Sequence, residues 1–213
     1  MTNQNQEVER YLTTAFEDNY EILRVESARA LAPASRRAAY YQVLLYWRKL
    51  RHIAEKVTDT EITLSLPNQH TPAGRPYTIT GVVDIVREKG RTTMYDIKSH
   101  PDAYVRDHKA FYEKQINVYA YIWQTLRGEP LDSAGVIATR YPKEVGQVIE
   151  ADDADALAYR LAKWDPVIPL PFSQARVEET IQEFGETVDD IEEGRFEPPS
   201  FSELEEKFGS RFA

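Results

Sequence analysis

Residues 78–100 read TITGVVDIVREKGRTTMYDIKSH. Two runs of β-branched and apolar residues flank a short turn-forming segment, and this pattern predicts two strands of a hairpin. The first run ends near Asp84, the second near Asp96, and Lys98 follows two residues later. Because side chains two apart in a strand share a face, Asp96 and Lys98 are expected to point the same way, with Ile97 buried on the opposite face. The short turn is expected to place Asp84 beside Asp96 at one end of the sheet.

The residues on either side of this stretch predict further elements in a regular order. The run TEITLSLP (60–67) favours a strand before the hairpin, and SAGVIATRYP (133–142) favours one after it. Helices are expected, from apolar residues at helical spacing, over residues 4–31 (one or two helices), 36–57, 110–128 and 173–194. This order predicts an α/β fold with a mixed central sheet (a three-strand meander, a helix and a further strand) flanked by helices.

The size of the chain suits one domain with a sizeable core. A length of 213 residues, with 42% hydrophobic and 29% charged residues, is typical of a globular protein. We expect a single domain over residues 1–213. Its parts are an N-terminal helical part (1–57), a motif-bearing core (58–145) and a C-terminal part with an acidic helix (146–213).

Several classes of protein are excluded by composition. The chain has no cysteine, so it holds no disulfide, no thiolate zinc site and no cysteine-ligated iron–sulfur cluster. Its first residues are polar and lack the apolar segment of a signal peptide. No apolar run approaches the roughly 20 residues that a membrane span requires. The sequence therefore predicts a cytoplasmic protein without membrane contact.

The charge of the chain is unevenly distributed, although its net value is -9. Residues 33–57 contain one acid, Glu55, and a group of basic residues: Arg36, Arg37, Arg48, Lys49, Arg51 and Lys56. Residues 176–207 are strongly acidic instead. A local basic face, rather than the net charge, is what a nucleic acid would meet.

The acids and the lysine of the opening stretch suit one kind of chemistry. Two carboxylates, from Asp84 and Asp96, and the backbone carbonyl of Ile97 are the hard oxygen ligands that Mg²⁺ prefers. Lys98 would position the attacking water and offset charge that develops at phosphorus. This set indicates metal-assisted hydrolysis of a phosphodiester. The alternative is a solvated Asp–Lys ion pair, worth roughly 0–1 kcal/mol.

A third motif on the next helix favours the catalytic interpretation. The chain contains Gly81-x-x-Asp84, then Asp96-x-Lys98, then Gln115-x-x-x-Tyr119. Over residues 61–140 this series resembles the PD-(D/E)xK nuclease superfamily, specifically its RecB-like exonuclease branch, which includes CRISPR-associated exonucleases. The resemblance implies a restriction-endonuclease-like core. The proline of the superfamily's name is absent, and the branch's iron–sulfur cysteines are missing here.

The resemblance implies a role for each motif residue. Asp84 and Asp96 would ligate the metal together with the Ile97 carbonyl, and Lys98 would be catalytic. Gln115 would support the site, and Tyr119 would contact the nucleic-acid strand. Core packing is the alternative role for Tyr119, because it falls in the apolar phase of its helix.

Other residues near the motifs have weaker assignments. The family often places a histidine or glutamate on the helix before the meander as a further metal ligand, and the candidates here are His52 and Glu55, one turn apart. Glu61 matches a supporting acid on the first strand. His100 and His108 match no family motif and are expected to be loop residues.

The resulting hypothesis is a Mg²⁺- or Mn²⁺-dependent deoxyribonuclease, acting as an exonuclease or preferring single strands or duplex ends. Arg48 and Lys114 are among the cations expected to bind phosphates, and Tyr112, Tyr119 and Tyr121 would offer stacking surface. The alternative is a nuclease-fold subunit with weak or no catalysis that binds nucleic acid or a protein partner for targeting.

Overall fold

The computed structural model describes residues 3–88, 90–129, 131–171, 173–195, 198 and 200. The elements, in chain order, are α1 (Asn3–Ser27), α2 (Pro33–Ala54), β1 (Asp59–His70), β2 (Pro76–Glu88), β3 (Thr92–Pro101), α3 (Asp102–Asp107), α4 (Lys109–Arg127), β4 (Ser133–Arg140), α5 (Lys143–Glu150), α6 (Ala154–Lys163), β5 (Val167–Leu170) and α7 (Gln174–Glu192). Within these residues, no helix combines the length and the apolar character needed to cross a bilayer.

The strands form one sheet in the order β1-β2-β3-β4-β5. Strands β1, β2 and β3 are an antiparallel meander, β4 runs parallel to β3, and β5 is antiparallel to β4. A parallel neighbour requires a crossover connection, and α3 and α4 supply it. The predicted α/β fold, with a mixed central sheet flanked by helices, is confirmed.

Helices cover both faces of the sheet. On one face α4 and α7 form the main core, whose buried side chains include Val83, Met94, Ile116, Trp123 and Val177. On the other face α2 packs through a smaller cluster of Leu50, Ile53, Ile85 and Ile137. Helix α1 lies on α2, where Thr13 and Tyr40 share a hydroxyl–hydroxyl hydrogen bond of 3.0 Å.

Two helices differ from the sequence-based expectation. Helix α1 is continuous from Asn3 to Ser27. Helix α2 begins at Pro33, whose missing N–H and fixed φ suit a first helical turn, and not after Ser35. Its backbone leaves helical geometry at Leu50, where φ is -115° and ψ is 16°. The kink changes the direction in which the residues after Leu50, including His52, project relative to the preceding turns of α2.

Strand β2 changes its facing between Val83 and Asp84. Ile79 and Val83 pack in the α4 core, so regular alternation would put Ile85 there too. Instead Ile85 lies in the α2 cluster, and Val86 lies in the α4 core. Glu61 of β1 lies between the Thr60–Ile85 and Ile62–Val83 pairs, opposite Asp84. Its φ of +53° is rare for a non-glycine residue and marks the same irregularity. The irregularity therefore lies at Asp84.

Asp189 of α7 anchors that helix to the β1–β2 turn. Its carboxylate accepts hydrogen bonds from Thr71 Oγ1 (2.7 Å), the Ala73 N–H (3.0 Å) and Arg75 Nη1 (2.8 Å). Burial acts to raise the pKa of Asp189, but the bonds from Thr71 and Ala73 and the charge of Arg75 outweigh it, so the pKa lies below its ordinary value. The charged form is therefore the one that stabilises the fold.

We expect Asp189→Asn to lower the melting temperature at pH 7 by about 2–4 °C, because the amide cannot accept all three bonds. Because the pKa of Asp189 is lower in the folded than in the unfolded protein, its charged form stabilises the fold at pH values above the unfolded pKa of about 4. That stabilisation is lost as the pH falls through the folded-state pKa. Thermal unfolding from pH 7 down to pH 3 checks this, with Asp190→Asn as control, since Asp190 pairs with Arg195 on the surface. A gap between wild type and Asp189→Asn that stays constant with pH would refute it.

Candidate active site

Strands β2 and β3 separate at the two aspartates. Their pairing runs from Glu88–Thr92 to Ile85–Tyr95 and ends there, one residue before Asp84 and Asp96 would face each other. In the gap the Asp84 carboxylate accepts a hydrogen bond of 2.6 Å from the Ile97 N–H. The Asp84 side chain thus takes the place of a backbone acceptor in the ladder.

The backbone of Ile97 faces this gap. In an extended strand the N–H and C=O of one residue point to the same edge, so the Ile97 carbonyl is directed towards Asp84 as its N–H is. Its side chain is 36% exposed. The expectation that Ile97 is buried is therefore wrong, because its side chain lines a cleft beside Asp84.

Asp96 is the buried acid of the pair, with 3% of its surface exposed. Its Oδ2 atom lies 2.6 Å from Lys98 Nζ, which puts both side chains on one face of β3, as the alternation predicts. Burial raises the pKa of Asp96, the hydrogen bond and charge of Lys98 oppose the rise, and the charge of Asp84 adds to it. Lys98 Nζ also lies 5.9 Å from the centre of the Tyr112 ring.

Helix α4 holds Asp96 from behind through two side chains. Gln115 Nε2 donates to Asp96 Oδ1 at 3.3 Å and to the Tyr119 hydroxyl at 2.7 Å. These residues lie four apart on α4, so they share one face of the helix. Gln115 therefore orients the carboxylate, and Tyr119 orients Gln115.

The Tyr119 ring explains the glycine of the first motif. A Cβ atom built on Gly81 would lie 2.6 Å from Tyr119 Cε1, which is closer than two non-bonded carbon atoms can approach. Gly81 thus leaves room for the ring that holds Gln115, and Asp84 follows three residues later. Tyr119 is 7% exposed, which supports core packing and leaves almost no ring surface for a nucleic-acid strand. Tyr112 is equally buried, at 4%, so neither ring offers the expected stacking surface.

A cleft of about 730 Å³ opens beside Asp84, between α2 and the sheet. Gln42 and Tyr46 line it from α2, and Glu61 lines it from β1. His52 and Glu55 are exposed and are not among the residues that line it. Glu55 is paired with Arg51 instead, at 2.6 Å. The kink at Leu50 changes the face on which both candidates lie.

The donor set at the gap fits a divalent metal. Among the described residues no three His, Asp or Glu side chains converge on one point, so His52 does not complete a site with the aspartates. Mg²⁺ is commonly held by one or two carboxylates, with water and substrate phosphate completing the shell. Both oxygens of the buried Asp96 carboxylate are held in place, Oδ1 by Gln115 Nε2 at 3.3 Å and Oδ2 by Lys98 Nζ at 2.6 Å. Asp84, Asp96 and the Ile97 carbonyl are the groups that would hold the metal.

The cations expected to bind phosphate have acidic neighbours. Arg48 makes a two-pronged pair with Glu9, with both N–O distances 2.8 Å. Lys114 lies 2.5 Å from Glu183. Arg36 is likewise paired, with Glu17. Arg36 and Arg48 of the basic stretch on α2 therefore bind acids of α1. Arg48 and Lys114 must each release a carboxylate partner before they can contact phosphate.

One row of stacked aromatic side chains near the site was not predicted from the sequence. His100, Tyr104 and His108 stack in a row, with ring centres 4.6 Å and 4.0 Å apart. His100 belongs to β3, and His108 joins α3 to α4, so the expectation that both are loop residues is wrong for His100. The spacing of four residues between Tyr104 and His108 was the available signal, because it places these two rings on one helical face.

Comparison with known proteins identifies the family. No curated protein gives a significant sequence match to the chain. The family model of the PD-(D/E)XK nuclease superfamily matches residues 1–203, which includes all the strands and helices described above. The match and the mixed sheet with its paired aspartates agree with the motif series read from the sequence. The chain belongs to the PD-(D/E)XK nuclease superfamily.

Proposed function

We propose that this chain is a Mg²⁺- or Mn²⁺-dependent deoxyribonuclease of the RecB-like branch, which hydrolyses phosphodiester bonds in single strands or at duplex ends. Membership of the superfamily already indicates a nuclease-type phosphodiesterase. One observation carries the finer proposal. Asp84, Asp96 and Lys98 meet where β2 and β3 separate, and Gln115 holds the buried acid in place.

Each of these side chains has a distinct part in the proposed reaction. A divalent metal held by Asp84, Asp96 and the Ile97 carbonyl would activate water and offset phosphate charge. Lys98 keeps an ammonium group beside Asp96, where it stabilises charge that builds up on the phosphate oxygens. Gln115 and Tyr119 are positioning residues that keep Asp96 oriented, and substitutions of such partners commonly cost 10- to 100-fold in metal affinity or activity.

The cleft beside Asp84 supports a single strand as the substrate. Its walls are mainly apolar and aromatic side chains, among them Phe16, Val43, Tyr46 and Ile97. Unpaired bases bury their faces against such surfaces, whereas bases in a duplex are already stacked. The ion-paired state of Arg48 and Lys114 also argues against a broad, exposed basic surface for duplex DNA.

A panel of DNA substrates tests the proposal. Linear single strands, blunt duplexes, circular single strands and closed circular duplexes are incubated with Mg²⁺ or Mn²⁺ and with EDTA. We expect linear single strands and duplex ends to be degraded, closed duplex circles to resist, and EDTA to stop all cutting. Intact DNA with both metals, equal cutting in EDTA, or cutting of closed duplex circles as fast as linear strands would overturn the proposal.

The pairing of the expected phosphate-binding cations favours a second candidate function. A nuclease-fold subunit that acts with a protein partner would need no basic surface of its own, and the net charge of -9 agrees with this. Metal binding separates the two candidates. A folded protein that binds no Mn²⁺ in calorimetry and cuts no DNA would favour the subunit, and metal-dependent cutting by the isolated chain would favour the enzyme.

A further inference from the structure

The row of rings formed by His100, Tyr104 and His108, hereafter the ring row, is an unusual surface feature. Its rings lie nearly parallel, with angles of 31° between the first two and 20° between the last two. The row is held by a hydrogen bond of 2.9 Å between His108 Nδ1 and the Tyr104 carbonyl oxygen. The rings are exposed, with 39% of the Tyr104 surface open to solvent.

A further exposed aromatic side chain adjoins the ring row. Phe111 lies in the first turn of α4 and is 65% exposed. Its N–H donates to the His108 carbonyl oxygen at 3.1 Å, and its ring meets that of Tyr112 edge-on, with centres 5.4 Å apart. One exposed phenylalanine is ordinary, but this one lies beside three further exposed rings, and such a grouping is typical of an interaction surface.

The ring row lies next to the reacting groups. His100 follows Lys98 by two residues on β3, which is roughly 7 Å along an extended strand. Tyr112 links Phe111 to the reacting groups. Lys98 Nζ lies 5.9 Å from the centre of the Tyr112 ring, and the Phe111 ring meets that ring edge-on.

The charges around the ring row are mixed. Arg106, the basic residue of α3, is paired with Asp165 at 3.1 Å. Asp102 and Asp107 lie at the two ends of the same helix, and Lys109 follows His108 at the start of α4. These neighbouring charges do not form a basic patch for phosphate, and the flat faces of the rings fit flat groups instead.

We propose that the ring row and Phe111 form a stacking surface for unpaired bases of the nucleic-acid strand cut at Asp84, Asp96 and Lys98. The inference rests on the proposed nuclease function and adds the site that selects unpaired strands. Bases of any identity can stack on such rings, so the surface reads strand state and not sequence. A blunt duplex offers no free base face until its end frays.

Binding without metal tests the inference independently of cutting. The affinity of the full chain in EDTA is measured by fluorescence anisotropy for a labelled single-stranded oligonucleotide and for an abasic one of the same length. The variants are Tyr104→Ala, Tyr104→Phe and, as a matched exposed tyrosine on α6, Tyr159→Ala, which is 57% exposed beside Lys163. Each is measured at low and at high salt.

We expect wild type to bind the base-bearing strand more tightly than the abasic strand. Tyr104→Ala should weaken binding of the base-bearing strand by about fivefold or more, and Tyr104→Phe and Tyr159→Ala should leave it unchanged. Because the ring contacts no phosphate, the loss should be equal at both salt concentrations. Wild-type affinity in Tyr104→Ala, equal loss in Tyr104→Phe, or a loss that shrinks with salt would overturn the inference.

Failure of this inference is distinguishable from failure of the proposed function. A protein that binds strands through Tyr104 but cuts no DNA with either metal retains the stacking surface and refutes the nuclease proposal. A protein that cuts DNA, while Tyr104→Ala binds and cuts like wild type, retains the nuclease proposal and refutes the stacking surface.

Discussion

Replacing Lys98 with alanine is expected to slow DNA cleavage by about 100- to 1000-fold. The ammonium group is the positive charge nearest the buried carboxylate, 2.6 Å from Asp96 Oδ2, and no other described lysine or arginine is ion-paired to either aspartate. Its loss removes charge stabilisation that matters most in the transition state. The metal ligands remain, so Mn²⁺ binding should persist. Single-turnover cleavage of a linear strand at saturating Mg²⁺ measures the effect.

The matched control for this variant is Lys163→Ala. Lys163 lies over the Tyr159 ring at 4.3 Å, much as Lys98 lies over Tyr112, but it belongs to α6. Removing Lys98 also leaves Asp96 without its partner, so the melting temperature of each variant is measured beside its rate. Cleavage by a folded Lys98→Ala protein at the rate of wild type and Lys163→Ala would show that Lys98 has no catalytic role.

Asp96→Asn is expected to abolish metal binding and to reduce cleavage by about a thousandfold or more, since a bound metal supplies several kcal/mol of transition-state stabilisation. We expect the substitution not to lower the stability of the fold. Burial raises the pKa of Asp96, which means that the charged carboxylate is costly where it lies. An amide of the same shape removes that cost, and Lys98, 25% exposed, can turn to solvent.

The outcome that separates function from stability is a melting temperature equal to or above that of wild type, together with lost cleavage. Asp165→Asn is the control, because Asp165 also pairs with a cation, Arg106, but on the surface. An Asp96→Asn protein that unfolds well below wild type would show that the carboxylate is structural. One that cuts normally would contradict the site assignment.

Sequence predicts the elements whose signals are local. Strand β2, the first strand of the predicted hairpin, spans Pro76–Glu88, because its apolar residues lie between turn-forming segments at both ends. Helix α4 ends as predicted at Gly128, which adopts a φ of 71° that only glycine reaches without strain. Strand β5 was missed, because its four residues, including Pro169, carry no pattern of their own.

The motif series could be identified from sequence, but its geometry could not. The side-chain alternation of β2 changes between Val83 and Asp84, an irregularity that no composition signal reveals. Nor does any local signal reveal the kink at Leu50, just before His52 and Glu55. Ideal periodicity assumes a regular backbone, and both features lie where the backbone departs from it.

Long-range pairing was likewise beyond local patterns. Arg48 and Glu9 are 39 residues apart, and Lys114 and Glu183 are 69 apart, so a basic stretch looked free when its partners lay elsewhere in the chain. Tyr119 shows the opposite case. Its apolar phase on α4 indicated core packing correctly, and the structure adds that its ring fills the space above Gly81.

The central claim is that Asp84 and Asp96 share one divalent metal at the gap between β2 and β3. Calorimetric titration of Mn²⁺ into wild type, Asp84→Asn and Asp96→Asn tests it most directly. We predict one site in wild type and none at that affinity in either variant, with all three proteins folded. Wild-type Mn²⁺ affinity in either single variant, or no binding by folded wild type, would contradict the account.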